Sequence, residues 1–126
     1  MKFHIYDNSH MTIDTLQFYK CLADDTRLKA ILLIQQEQEL CVCELTTALK
    51  ASQPKVSRHL AQLRECGLLS DRRERQWIYY QINPDLPDWA LNVITISAEA
   101  SQAFMTEAQN NLGNMGDRPL RQQQCC

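Results

Sequence analysis

No apolar run in this chain approaches the roughly 18 residues that a membrane-spanning helix requires. The first ten residues, Met1 to His10, are polar and mixed, without the apolar core of a secretion signal. A soluble, cytoplasmic protein is therefore expected. The three glycines stand at 67, 113 and 116, so there is no Gly-rich loop to cradle a phosphate. No paired acid and base is evident, and no thioredoxin-like βαβ pattern accompanies the cysteines. These absences argue against an enzyme and against an organic cofactor. Internal repeats are also missing, and 126 residues suffice for one core but not two.

Cysteine is not scarce. It occurs at 21, 41, 43, 66, 125 and 126. In a reducing cytosol disulfides are unusual, and closely spaced thiols more often bind soft ions or take part in redox chemistry. Cys21 and Cys66 adjoin apolar helical positions and are expected to pack as small hydrophobes. His4 and His10 are expected to be solvent-exposed.

The net charge of −2 would by itself argue against nucleic acid. Its distribution argues the other way. Residues 50–80 hold seven basic residues (50, 55, 58, 64, 72, 73, 75) against three acids (65, 71, 74), a local +4 that leaves −6 elsewhere. Such a concentrated basic stretch is the footprint of a DNA-reading face.

The apolar spacing predicts a short first helix through Ile13, Leu16, Tyr19 and Leu22, then a second, capped by Asp24 or Asp25, running through Leu28, Ile31 and Leu32 toward Gln35. Val42, Leu45 and Leu49 predict a third of about two turns. After Ala51-Ser52-Gln53, Pro54 suits the first turn of a fourth helix, which Gly67 should end. Leu68-Leu69 and the alternation from Gln76 to Ile82 predict a hairpin with an arginine-rich tip. A long helix should run from about Asp85 or Asp88 to Ala108. Its apolar residues cover more than one face, which predicts a symmetric dimer. The expected fold is mainly α with a small β-hairpin (α+β): a winged helix-turn-helix that is dimeric through its first and last helices. Residues 1–10 would be a flexible N-terminus, 11–109 the DNA-binding and dimerisation domain, and 110–126 a disordered tail ending in cysteine.

In the fourth helix Val56, Leu60 and Leu63 face inward, leaving Gln53, Lys55, Ser57, Arg58, His59 and Gln62 as candidate contacts to operator double-stranded DNA. Arg72, Arg73 and Arg75 at the hairpin tip are candidates for phosphate or minor-groove contact. Cys41 and Cys43 stand just ahead of this reader. On a regular helix, two residues of separation turn them about 200° apart, so they can share one ion only where the backbone is extended or frayed. A helix N-terminus also lowers a thiol pKa, favouring the thiolate. The mobile pair Cys125 and Cys126 can supply further sulfur.

Several segments together resemble the ArsR/SmtB family of winged-helix metalloregulatory repressors, above all its arsenic-responsive members. They are Leu22-Ala23-Asp24-Asp25-Thr26-Arg27-Leu28, Glu39-Leu40-Cys41-Val42-Cys43-Glu44-Leu45, Ser52-Gln53-Pro54-Lys55-Val56-Ser57-Arg58-His59-Leu60, and Gly67-Leu68-Leu69 with Trp77-Ile78-Tyr79-Tyr80. The likeness runs from about Leu16 to Ile94. It implies a homodimer that represses a resistance operon and leaves its operator when As(III) or Sb(III), acting as inducer, occupies Cys41 and Cys43. The family's zinc site uses His and carboxylates on the last helix, and residues 85–110 contain no His. The cadmium- and lead-sensing variant adds N-terminal cysteines, and none precedes Cys21. Such a Cd/Pb sensor, or a thiol-redox regulator of the same fold, is the alternative. A third cysteine often found in the arsenic-responsive pattern falls at Thr46 here.

Overall fold

The computed structural model describes residues 12–118 and 121. Asp14 and Asp24 each lie in extended backbone and accept a hydrogen bond from the amide three residues on, Gln17 and Arg27 respectively. These caps satisfy amides that a helix start leaves unpaired, and they start α1 (Thr15–Leu22) and α2 (Asp25–Glu37). α2 is the central helix, with Ala30 to Ile34 fully buried. Gln38 ends it at φ 79°.

The chain then forms β1 (Leu40–Cys41), α3 (Val42–Leu49) and α4 (Gln53–Glu65). Lys50, in the left-handed region, closes α3. Ser52 caps α4 by accepting from the Lys55 amide, and Pro54 sits in the first turn, where its missing N–H costs nothing. Gly67 follows α4 at φ 85°, a conformation that side chains with a Cβ rarely adopt. β2 (Leu69–Glu74) and β3 (Trp77–Ile82) form the predicted hairpin, with Glu74 opposite Trp77 and Arg75 at φ 59° in the two-residue loop.

The third strand was not predicted. β1 pairs antiparallel with β3, giving the order β1-β3-β2, with Leu40 opposite Tyr80 and Cys41 opposite Tyr79. The thiol motif is thereby stitched to the hairpin.

Beyond the hairpin the expected single helix is two, α5 (Asp88–Ala100) and α6 (Gln102–Gly113), broken at Ser101. The apolar stripe runs straight through the break: Ala90, Ile94 and Ala98, then Met105, Ala108 and Leu112, are all buried. α5 lies on α2, and α6 packs on both α2 and α3. Asn111 Nδ2 donates to the Ala48 carbonyl at 3.0 Å, and Gln109 Nε2 to Gln36 Oε1 at 2.7 Å. Much of the apolar surface assigned to a partner is therefore covered within the chain. Within the segment 110–126 expected to be disordered, the described residues are packed: Leu112 and Met115 are buried and Arg118 is held by ion pairs, while residues 119, 120 and 122–126 lie outside the described residues.

Cys21 and Cys66 pack against the hydrophobic core as expected, but they are not free thiols. A disulfide joins them, 45 residues apart. No helix among the described residues is long and apolar enough to cross a membrane.

Candidate thiol site and nucleic-acid interface

Cys41 occupies two structural positions at once. It is the last residue of β1 and, at φ −90° and ψ 167°, the N-cap of α3. Its amide donates to Glu44 Oε1 at 2.9 Å. Cys43 lies in the first turn of α3. Cys41 thus lies in extended backbone and Cys43 in a helix start. Cys43 is engaged in a disulfide, whereas Cys41 is a free, buried thiol.

The expectation of a lowered thiol pKa fails at Cys41. Burial pushes this thiol up, and the neighbouring Glu44 carboxylate adds to the rise, outweighing the backbone N–H groups of Glu44 and Cys43 that pull it down. The helix-terminus argument holds for an exposed cap, but Cys41 is only 2% exposed.

Glu44 is the residue that sequence reasoning passed over. Its carboxylate has no exposure at all. Arg118 reaches it with two hydrogen bonds, 2.6 Å to Oε1 and 3.0 Å to Oε2, and Arg121 Nε lies 3.2 Å from Oε2. Burial alone would raise the Glu44 pKa. The Arg118 hydrogen bonds, the Cys41 amide and the charges of Arg118 and Arg121 together hold it below the usual carboxylate range. The only sequence signal was the acid three residues after Cys41, a capping-box spacing.

The same network reaches the hairpin. Arg72 forms a bidentate pair with Glu39, at 2.8 and 2.6 Å, and bonds Glu74 at 2.7 Å. The Arg72 and Arg118 guanidinium groups both lie over the Tyr79 ring, 4.6 and 4.7 Å from its centroid. Thr46 donates its hydroxyl to the Val42 carbonyl at 2.8 Å. Among the described residues no group of three or more His, Cys, Asp or Glu is placed to hold a metal ion. Cys125 and Cys126 lie outside the described residues.

On α4 the candidate DNA contacts separate into two sets. Gln53, Lys55 and Arg58 are exposed and Ser57 is half-buried, with Gln53 Nε2 donating to Ser57 Oγ at 3.3 Å. His59 instead turns inward, 9% exposed, with Nδ1 3.1 Å from Gln62 Oε1 and 3.4 Å from an Arg27 guanidinium nitrogen. Gln62 Oε1 accepts from Arg27 at 3.0 Å. His59 thus leaves the exposed face of α4, whereas Gln62 stays exposed while it accepts from Arg27 of α2. Arg73 and Arg75 are exposed on the hairpin, while Arg72 is committed to Glu39 and Glu74.

A helix-turn-helix followed by a strand hairpin, with a basic second helix, defines a winged-helix DNA-binding regulator. Residues 24–71 match the family described as bacterial regulatory protein, arsR family. The chain is 54% identical over 101 residues to the arsenic resistance transcriptional regulator ArsR1 of Pseudomonas putida, spanning 80% of this chain and 79% of that one. It is 47% identical over 97 residues to the arsenical resistance operon repressor of Escherichia coli, spanning 77% and 83%. Among solved structures, reduced HlyU from Vibrio cholerae superposes with a TM-score of 0.61 at 29% identity, covering 68% of this chain and 86% of that one. The transcriptional repressor BigR from Xylella fastidiosa gives 0.61 at 26% identity, covering 70% and 83%. The protein belongs to the arsR family of bacterial regulatory proteins, which are transcription regulators and not enzymes.

Proposed function

We propose that this protein is a cytoplasmic transcriptional repressor of an arsenic resistance operon, which binds operator DNA as a homodimer and is released when trivalent arsenic or antimony bonds Cys41 and Cys43. The observation that carries the reading is the double position of Cys41, as N-cap of α3 and as strand partner of Tyr79 in the hairpin. The relatives named for arsenic resistance support the choice of inducer.

Arsenous acid reacts with two thiols to give two As–S bonds and two waters. The third position on arsenic then keeps a hydroxyl or takes another sulfur. Thr46 cannot provide that sulfur; Cys125 and Cys126 are the candidates within the chain. To bond one arsenic atom together with Cys43, the Cys41 sulfur must leave its buried seat. That movement strains the hydrogen bond from its amide to Glu44 and the β1–β3 pairing, and so disturbs the start of α3 and the base of the wing together. The reduced state of Cys43 is required for this step.

For DNA, Gln53, Lys55, Ser57 and Arg58 of α4 enter the major groove while Arg73 and Arg75 contact flanking phosphates or the minor groove. Two such helices in a dimer call for half-sites centred about 10 base pairs apart or a multiple of that. Exposed Leu16 and Tyr19 on α1, with Trp89 and Ile96 on α5, support a dimer face built from these helices.

The test is arsenite-driven release from operator DNA, followed by fluorescence anisotropy on the reduced protein. Release is expected to disappear in Cys41→Ser and in Cys43→Ser. If the double variant is still released, the site assignment is wrong; if cadmium or lead acts at much lower concentration than arsenite, the sister metal sensor is the better reading.

A further inference from the structure

A second pair of cysteines lies apart from the thiol motif. Cys21, near the end of α1, and Cys66, at the carboxyl end of α4, are joined across a Cα separation of 6.9 Å. Both line one open surface cleft of about 560 Å³, together with Gln17, Lys20, Arg27, Gln62 and Glu65. That volume suits a small organic molecule. The lining mixes apolar and polar surface and carries two cations, Lys20 and Arg27, against one carboxylate, Glu65. Cys66 is half-buried, whereas Cys21 is only 8% exposed, so Cys66 is the sulfur open to attack.

Arg27 fixes the floor of this cleft. Its Nε donates to the Cys21 carbonyl at 2.7 Å, and another guanidinium nitrogen donates to Gln62 Oε1 at 3.0 Å. Through Arg27 of α2 these bonds tie α1 to α4, the two elements that the disulfide also joins. Opening the disulfide therefore leaves the two sulfurs neighbours, at the high effective concentration that makes re-closure fast.

We propose that Cys21 and Cys66 form a thiol–disulfide exchange site, separate from Cys41 and Cys43, whose cleft admits an anionic low-molecular-weight thiol of the glutathione class. The small thiolate attacks the Cys66 sulfur, forming a mixed disulfide. The Cys21–Cys66 bond breaks, and its electron pair leaves on Cys21, which takes a proton. A second small thiolate attacks the outer sulfur, releasing the small-molecule disulfide and the Cys66 thiolate, which is then protonated. Overall two small thiols are oxidised to one disulfide and the protein disulfide is reduced to two thiols. The reverse sequence closes it. The exposed Lys20 meets a carboxylate of the incoming thiol, and the charge of Arg27, whose donors are held by Cys21, Lys20 and Gln62, adds to the attraction. The site stands whether or not the arsenic reading does, since neither sulfur belongs to that motif.

The full chain is equilibrated in glutathione buffers of graded reduced-to-oxidised ratio, quenched, alkylated and mapped by mass spectrometry. The Cys21–Cys66 cross-linked peptide is expected to appear and vanish reversibly with the ratio, with the transient glutathione adduct on Cys66. Failure of oxidised glutathione to form this bond at any ratio, or pairing of Cys66 with a different cysteine, overturns the site. A second arm compares opening by reduced glutathione with opening by neutral 2-mercaptoethanol. Lys20→Glu, on an exposed residue, should slow the first relative to the second by about threefold; an unchanged ratio overturns the anionic-thiol assignment.

Discussion

Cys41 faces Tyr79 across the antiparallel pair of β1 and β3, and the Tyr79 ring lies beneath the guanidinium groups of both Arg72 and Arg118. A change at one buried thiol is thus one residue away from the strand that carries the wing. The consequences can be measured.

Ligand choice should depend on pH in a way that follows from the raised Cys41 pKa. A divalent cation must displace the thiol protons, so cadmium affinity should rise by up to about tenfold per pH unit for each thiol that is protonated in the free site. Arsenous acid exchanges hydroxyls for thiols and releases water, with no net proton. Isothermal titration between pH 6 and 8 should show arsenite affinity nearly flat while cadmium affinity climbs. A flat cadmium affinity, with arsenite affinity falling as pH rises, would place the bound thiols in the thiolate form before ligation.

Arg118→Ala leaves the Glu44 carboxylate buried with Arg121 as its remaining cation. A loss of about 2 kcal/mol is expected in urea unfolding at pH 7. The folded-state pKa of Glu44 lies below its unfolded value. Its contribution is therefore fully present above the unfolded value and lost as pH falls through the folded one. Asp24, lowered chiefly by the Arg27 amide, and Glu39, lowered chiefly by Arg72, act in the same direction. Wild-type stability should hold from neutral pH down to about pH 5 and decline below about pH 4, and Arg118→Ala should show a shallower acid decline.

The two sets of α4 side chains should behave differently. Arg58→Ala is expected to relax base preference, whereas Arg73→Ala should weaken specific and random DNA alike and reduce the salt dependence by about one counterion. His59→Ala should instead lower stability by about 1 kcal/mol, through loss of the contacts to Gln62 and Arg27, without changing base preference. Binding measured on operator variants at several salt concentrations separates the three. A relaxed preference in the His59 variant would put its ring in the groove.

Leu16 and Ile96 are 61% and 62% exposed. If α1 and α5 form the dimer face, Leu16→Glu or Ile96→Glu should convert the protein to monomer in sedimentation velocity while the melting of the monomeric fold stays within about 0.5 kcal/mol. A dimer that survives both changes would locate its interface elsewhere.

The helices and hairpin were legible because their signals are local. Asp24, Ser52, Pro54 and Gly67 mark starts and stops, and the alternation from Gln76 to Ile82 marks a strand. β1 was hidden because two residues carry no period, and their pairing with Tyr79 and Tyr80 spans nearly forty positions. The break at Ser101 was hidden because the buried stripe passes through it and neither Gly nor Pro marks it. Arg118 read as part of a polar tail, since its worth lies in a carboxylate 74 residues away. The Cys21–Cys66 link depends on where α1 meets the end of α4, which spacing does not encode. Within the candidate site, Cys41 and Cys43 were readable as a pair. Their unequal environments were not, because burial is a property of the packed chain.

β1 is two residues long. A long strand can lose one rung of its ladder and keep its register, so its partner feels only a graded disturbance. A two-rung ladder has no such reserve, and removing Cys41 removes half of it. The attachment of the motif to the wing therefore behaves as a latch with two positions. A population of molecules carrying it should respond to its trigger by changing the fraction released, not by settling into an intermediate shape.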